Sequence, residues 1–457
     1  MADGRVMIAA TGSGSGKTVI TCGLMRILKE EGSKVVPYKC GPDYIDPMYH
    51  RIALGMDVQA LSPEGEVAAG GNLDTFFNDK EIILSLMNEG GFASSDYAVI
   101  EGVMGLYDGL GGTGITGSSY ELARVTETPI ILVVDAKGMG RSILALIKGF
   151  LSYDEHKLIR GVILNRVSGM YYEKLKSLIE SELLVSVAGY VPEDERLHVD
   201  SRHLGLFTPS AGVSFRERIS ELIGTAAVIL RETLDMAKIR AIMSSAKKIQ
   251  MPADTGPLPG LPFLKDKKIG KMAVAVDEAF CFYYRENLRY LKSLGMELIP
   301  FSPLHDDRLP EGTDGILLGG GYPEEYLKEL SENSPMKNAI KRAADTGVYI
   351  IAECGGFMYL QEVIEDKEGT AYRMTGVLPG TCSWKGKLTR FGYVEIPVGN
   401  RIIRGHEFHY YDSDRNGEDI MVIKASTGKG YPAMYHRENM LAGFPHLYYP
   451  SAGKMVL

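Results

Sequence analysis

Cysteine and tryptophan are scarce: five cysteines, at positions 22, 40, 281, 354 and 382, and one tryptophan in 457 residues. An odd number of scattered cysteines without a Cys-x-x-Cys pair suggests neither a disulfide framework nor a thiolate metal site. Most are expected to be reduced core thiols, so a cysteine in an unusual setting stands out. Long apolar runs are missing as well. No stretch approaches the roughly 20 residues that cross a bilayer, and the N-terminus lacks a long hydrophobic signal core. The expected compartment is the cytoplasm, with no membrane partner. An excess of positive charge is also lacking, since 50 Lys and Arg against 58 Asp and Glu leave a net charge of −8. A broad electrostatic footprint for nucleic acid is therefore not expected. The remainder, 45% hydrophobic and 24% charged residues, is ordinary for a globular protein of two or three domains.

Glycine is plentiful, and its placement is informative. The apolar run Val6-Met7-Ile8 leads into Ala9-Ala10-Thr11-Gly12-Ser13-Gly14-Ser15-Gly16-Lys17-Thr18, and a segment of helical period follows at Val19, Ile20, Cys22, Leu24, Ile27 and Leu28. A glycine-rich loop between strand and helix can turn backbone N–H groups toward a nucleotide's phosphates, with Lys17 on the β/γ oxygens and Thr18 on Mg²⁺. The first glycine of the usual pattern falls one residue late, at Gly12, where the pattern position is Thr11. Gly12, Gly14, Gly16, Lys17 and Thr18 are the candidate nucleotide-binding residues.

Further strands are expected at 34–39, 96–101, 129–135, 159–166 and 185–192, alternating with helical segments, which implies βαβ units and a mostly parallel sheet. The loop Cys40-Gly41-Pro42-Asp43-Tyr44-Ile45-Asp46-Pro47 lies at a strand end, where α/β proteins place ligand chemistry. Asp43 and Asp46 there either hold Mg²⁺, orient a carboxyl substrate, or only bond local backbone. Glu101 closes an apolar strand, the usual place for a second Mg²⁺-binding carboxylate. Residues 103–119 read as a mobile loop over the site. Asn165 ends its strand with an amide that could read a base edge, and Arg202-His203 add positive charge beyond the last strand. An amphipathic helix is expected from Val213 to about Ala246.

Four prolines and two glycines between Lys247 and Lys268 mark a linker. The expected division is residues 1–246, a linker over 247–268, and a second α/β domain over 269–457. In that domain a strand over 314–318 runs into Gly319-Gly320-Gly321, whose backbone N–H groups suit an oxyanion hole. The strand Tyr349-Ile350-Ile351-Ala352-Glu353 meets Cys354, flanked by small residues at Ala352 and Gly356, and a helix follows. A nucleophile at such an elbow is lifted clear of the sheet, with the helix N-terminus helping its thiolate. A thiol needs a base, and the late candidates are His406, His409, His436 and His446. His446 follows the last apolar segment. His406 and His409, three apart beside Glu407, mimic half of a metal site but have no third ligand nearby.

With both sites in view, the chain resembles the cobyrinate a,c-diamide synthase family of glutamine-dependent amidases. The resemblance runs through the phosphate loop, Gly41-Pro42-Asp43-Tyr44-Ile45-Asp46-Pro47, Glu101-Gly102-Val103-Met104-Gly105, Arg202-His203-Leu204-Gly205-Leu206, Gly319-Gly320-Gly321-Tyr322-Pro323-Glu324, Glu353-Cys354-Gly355-Gly356 and Gly405-His406-Glu407-Phe408-His409. It implies an α/β chain with an N-terminal ATP-binding domain, its loop similar to that of dethiobiotin synthetase, and a C-terminal class I-like glutamine amidotransferase domain. Cys354 would attack glutamine and His446 would activate it, with Gly320, Gly321 and Gly355 around the oxyanion. Asn165 would join the loop in binding ATP, Thr18, Asp43 and Glu101 would hold Mg²⁺, and Asp43, Tyr44, Asp46, Arg202 and His203 would face the substrate. The implied partners are a tetrapyrrole, ATP and glutamine, with a homodimer as an allowed assembly. Two residues after His446 stands Tyr448, where fuller triads carry an acid. The same motifs suit the Ni-sirohydrochlorin a,c-diamide synthases. A more distant resemblance, to ParA/MinD-like ATP switches, lacks their early loop lysine at Gly12.

Overall fold

The computed structural model describes residues 4–198, 215–250, 261–264 and 267–455. Two compact units divide the chain: Met1–Val58 with Ala69–Thr255, and Gln59–Ala68 with Gly256–Leu457. The excursion of Gln59–Ala68 into the second unit has no counterpart in the sequence reading. Its cause is visible in the packing, since Ala60 and Leu61 are buried in the second unit's core. Arg289 and Lys292 then donate to the carbonyls of Ala68 and Gly65, at 2.6 and 3.0 Å.

In the first unit, strands β1 (Gly4–Ala10), β2 (Val35–Cys40), β3 (Gly71–Leu73), β4 (Tyr97–Glu101), β5 (Ile130–Asp135), β6 (Ile159–Asn165) and β7 (Ser186–Val191) form one sheet in the order β3-β2-β4-β1-β5-β6-β7. Every pairing is parallel. Central β1 is buried along its whole length, as an apolar strand covered on both faces must be. Helix α1 (Lys17–Glu30) lays Ile20, Leu24, Ile27 and Leu28 onto this sheet, the i, i+4, i+7, i+8 stripe of a one-sided helix. At roughly 1.5–3 kcal/mol for each such side chain, this stripe fixes where the helix and the loop before it sit. Gly32, just past the helix end, has φ 90°, a left-handed conformation that glycine adopts freely and that ends α1.

The expected amphipathic helix is two helices, Phe215–Thr233 and Met236–Ser244. The break falls where the Asp235 carboxylate accepts from Lys238 N–H at 3.0 Å and starts the second helix. Gly23 of α1 lets the first of them come close: a Cβ there would stand 2.4 Å from Leu230 Cδ1.

The second unit holds β8 (Lys271–Ala275), β9 (Phe280–Phe282), β10 (Glu297–Phe301), β11 (Gly315–Leu318), β12 (Gly320–Gly321) and β13 (Tyr349–Glu353). Its main sheet runs β10-β8-β11-β13, then Met440–Gly443 and Tyr435–Arg437, and only the last pair is antiparallel. A further antiparallel sheet includes Arg390–Val398, Arg401–His409 and His446–Tyr448. No helix of the described residues is long and apolar enough to cross a membrane. All five cysteines are free and buried.

Candidate active sites

In the first unit the chemistry collects at the carboxyl ends of the strands, where parallel sheets open their crevice. A cavity of about 1050 Å³ there is lined by Gly14, Gly16, Lys17, Thr18, Asp46 and Asn165, among others. The loop after β1 turns into α1 at Gly16, whose φ of 86° is left-handed. Lys17 Nζ donates to the carbonyls of Gly12, at 3.3 Å, and Met104, at 2.7 Å, so its ammonium is held along the loop. A Cβ on Gly16 would stand 2.5 Å from Asn165 Nδ2. That nitrogen donates to Ser15 O at 2.8 Å, and Asn165 Oδ1 accepts from Arg166 N–H at 2.9 Å. Asn165 thus braces the loop from the end of β6.

Two carboxylates converge on Thr18. Its Oγ1 lies 2.7 Å from Glu101 Oε1 and 3.3 Å from Asp46 Oδ1. Asp43, expected with Glu101 at this point, lines the same cavity, and its Oδ1 accepts from the N–H groups of Ile45 and Asp46, at 2.9 and 3.0 Å. Its Oδ1 therefore makes the local turn that starts helix α2 (Ile45–Ala53), and Asp46 is the acid beside Thr18. Tyr44 stands at the N-cap of the same helix and is buried. Arg202 and His203 lie outside the described residues.

Two residues that the sequence reading passed over complete the cluster. Lys39 Nζ, 2% exposed, sits 3.0 Å from Asp46 Oδ2 and 3.6 Å from Glu101 Oε1. Burial opposes its charge, but the carboxylates of Asp46, Glu101 and Asp43 outweigh that and raise its pKa, so it stands as a buried ammonium. His50, fully buried, places Nε2 at 2.6 Å from Glu101 Oε2. The signals were a lysine inside the apolar run of β2 and a histidine four residues after Asp46, which puts both on one face of α2. The segment after β4, expected as a loop over the site, is tied to its surroundings at Val103, Leu106 and Ser119. Leu106 N–H donates to Ala10 O at 2.8 Å, and Ser119 Oγ bonds the N–H and O of Val103 at 2.8 and 3.0 Å.

In the second unit, Cys354 joins β13 to the helix Gly355–Leu360 with φ 49° and ψ −107°. A non-glycine residue rarely holds a positive φ, and the strain is tolerated where surrounding packing fixes it. Here Cys354 N–H donates to Gly443 O at 2.9 Å, continuing the parallel pairing of β13 with Met440–Gly443. Behind the elbow there is no room for side chains: a Cβ on Gly356 would stand 2.2 Å from Leu318 O. The amide nitrogen of Gly321 lies 3.2 Å from where a Cβ on Gly355 would stand, so these two backbones meet beside the cysteine. Gly320 faces His446, with 2.4 Å between its would-be Cβ and the ring's Cε1. The 319–321 segment thus meets Gly355, the neighbour of Cys354, at Gly321 and His446 at Gly320.

His446 lies opposite His406 in antiparallel register, and their rings stack at 4.9 Å and 15°. Tyr284 Oη is 2.9 Å from His406 Nδ1, and His409 Nδ1 is 2.6 Å from Tyr411 O. Burial pushes the His446 pKa well below its ordinary value, with His406 and His409 adding to the effect. His406 is pushed down to about 3, again by burial. Burial also pushes the Cys354 thiol up, helped by the Glu324 carboxylate, and this outweighs the Gly355 N–H that favours the thiolate. At this elbow, expected to favour a thiolate, enclosure acts in the opposite direction. Glu353 does not stand in for the missing acid at Tyr448. Its carboxyl accepts from Tyr449 Oη at 2.9 Å, and burial raises its pKa to about 8.

Comparison with known proteins matches residues 6–206 to the CobQ/CobB/MinD/ParA nucleotide binding domain and residues 271–452 to the CobB/CobQ-like glutamine amidotransferase domain. The chain is 40% identical to a cobyrinate a,c-diamide synthase of Caldanaerobacter subterraneus subsp. tengcongensis, over 96% of this chain and 94% of that protein. It is 35% identical to one from Priestia megaterium, over 100% and 96%. Among solved structures it aligns with the MinD cell division protein of Aquifex aeolicus at 16% identity and a TM-score of 0.34, over 55% of this chain and 99% of that one.

Proposed function

Because the chain belongs to the cobyrinate a,c-diamide synthase family, whose members are glutamine-dependent amide-forming ligases, we propose that it converts the a and c acetate carboxylates of cobyrinate to amides. Nitrogen comes from glutamine and the driving force from MgATP, through an acyl-phosphate. The observation that supports the reading is that one chain carries both a phosphate loop with paired acids and a cysteine elbow with a histidine. A ParA/MinD-like switch with an inert second unit would have no use for the second.

At the elbow, Cys354 Sγ attacks the glutamine side-chain carbonyl while His446 takes the thiol proton. Burial pushes the thiol up and the imidazole down, which favours the neutral pair, and His446 receives the proton as the sulfur attacks. The backbone amides of Gly321 and Gly355, with Gly320 alongside, receive the oxyanion. His446 then gives its proton to the leaving nitrogen, ammonia departs, and a thioester remains for water to hydrolyse to glutamate. His446 owes its place to the His406 stack on one side and Gly320 on the other. Replacing Gly320 with alanine forces the ring aside, and about a 10²-fold loss of glutamine-dependent turnover is expected, since an ångström of misplacement costs that much. Steady-state rates with glutamine and with ammonium salt check this; equal losses with both donors would refute it.

In the first unit a carboxylate must be given a better leaving group than oxide, and a phosphoryl group supplies it. The loop amides and Lys17 grip the phosphates, leaving the γ-phosphorus open to the substrate carboxylate. Thr18, Asp46 and Glu101 offer hard oxygen donors, a set that fits Mg²⁺, with Asp46 taking the place first given to Asp43. When bound, the ion would neutralise charge on the phosphates. Attack by the carboxylate oxygen breaks the γ-phosphate's bond to ADP, and ammonia then displaces phosphate to leave the amide. Asn165 keeps the loop in shape, and Asp43, Tyr44, Arg202 and His203 remain the candidates for gripping the macrocycle.

The test is amidation of cobyrinate and of Ni-sirohydrochlorin in parallel, with ¹⁸O in the substrate carboxylates. The reading expects the diamide of cobyrinate and one ¹⁸O in each phosphate released. Turnover of Ni-sirohydrochlorin alone would move the enzyme to the other substrate, and unlabelled phosphate would exclude the acyl-phosphate.

A further inference from the structure

We propose that His50 is a positioning residue for the cation site, holding Glu101 from behind so that one oxygen of that carboxylate is aimed at Thr18. The inference rests on the MgATP reading above. Its basis is the way four carboxylate oxygens are divided. Glu101 Oε1 and Asp46 Oδ1 are the two near the Thr18 hydroxyl, at 2.7 and 3.3 Å. The other two are held at the back: Asp46 Oδ2 by Lys39 at 3.0 Å, and Glu101 Oε2 by His50 at 2.6 Å. Lys39 is itself fixed by a bond from Nζ to Gly102 O at 2.7 Å. Each acid thus turns one oxygen to Thr18 and has the other tied, with Lys39 also 3.6 Å from the forward oxygen of Glu101.

The His50 bond has a defined direction. A carboxylate only accepts, so Nε2 must carry the proton, and His50 Nδ1 is buried with no hydrogen-bond partner among the described residues. The ring is therefore the Nε2–H donor. Glu101 is fully buried at the end of β4, where a carboxylate oxygen left without a donor is costly, so the His50 bond fixes the oxygen that Thr18 does not meet. Outer donors of this kind orient ligand carboxylates at metal sites, and removing one typically weakens metal affinity by about 10- to 100-fold.

The experiment compares His50→Leu, which fills the space without a donor, with His50→Gln, whose amide nitrogen reaches the position of Nε2. Binding of a non-hydrolysable ATP analogue to the full chain is measured by calorimetry in EDTA, and Mg²⁺ is then titrated into the saturated complex. His50→Leu is expected to keep metal-free nucleotide affinity within about threefold while weakening Mg²⁺ binding by about 10- to 100-fold. His50→Gln is expected to recover most of that loss. Equal Mg²⁺ affinity in all three proteins, or equal losses in both variants, would overturn the role given to Nε2–H. A fall in metal-free affinity of the same size as the fall in Mg²⁺ affinity would reduce His50 to a structural residue and overturn it too. If the unaltered chain binds the analogue in neither condition, the ATP reading itself fails and this inference with it.

Discussion

Cys354→Ala is expected to lower glutamine-dependent amidation by at least about 10³-fold, as loss of a covalent nucleophile does, and to leave amidation with ammonium salt within about threefold of the unaltered enzyme. The split follows from the geometry. Cys354 sits at the end of β13 in the second unit, and the groups assigned to carboxylate activation all lie in the first. Alanine is also the substitution least able to disturb the elbow for other reasons. The strain at φ 49° is carried by cysteine and alanine alike, so the fold keeps what it already tolerates. Cys354→Gly, which relieves that strain, should give the same kinetic pattern in a protein at least as stable. Rates with each nitrogen donor, together with glutamate release, read the result. Loss of ammonia-dependent turnover in both variants would mean that Cys354 does more than hydrolyse glutamine.

The sequence made the fold class and the family legible because both are written in contiguous stretches. An apolar run followed by glycines and a lysine, or by Glu353-Cys354-Gly355-Gly356, carries its own local geometry, and a parallel sheet follows from apolar strands alternating with helices. What stayed hidden was set by contacts distant in sequence. His50 and Glu101 are 51 residues apart and meet only because α2 and β4 border the same crevice. His406 and His446 meet through antiparallel pairing of a strand whose alternation is broken by arginine and glycine with one of only three residues, so neither shows a clean period. Two acids in one turn, Asp43 and Asp46, are placed differently: one oxygen of the first accepts from the first N–H groups of the helix that carries the second. Gln59–Ala68 leaves its unit for two buried apolar residues, too few to register as a pattern.

Lys17→Met is expected to give the opposite result to Cys354→Ala: amidation falls by about 10²- to 10³-fold with either nitrogen donor, while the second unit goes on hydrolysing glutamine. Loss of one preorganised electrostatic group at a transferring phosphoryl has that size, about 3–4 kcal/mol at the transition state. Methionine keeps the length and apolar body of the lysine, so α1 retains its first turn and its stripe of Ile20, Leu24, Ile27 and Leu28. What goes is the ammonium that bonds Gly12 O and Met104 O. In the free enzyme those two carbonyls hold the charge along the loop at small cost, because a lysine bonded to neutral carbonyls can turn to a phosphate that offers it more. Asp46 and Glu101 have Lys39 beside them, so removing Lys17 leaves these two carboxylates with a cation and folding should survive. Phosphate release and amide formation with ammonium salt measure the activating half, and glutamate release measures the other. Unchanged ammonia-dependent amidation would refute the role of the phosphate loop in driving the ligation. If both halves fell together, the two centres would have to be treated as one coupled machine rather than as separable chemistries.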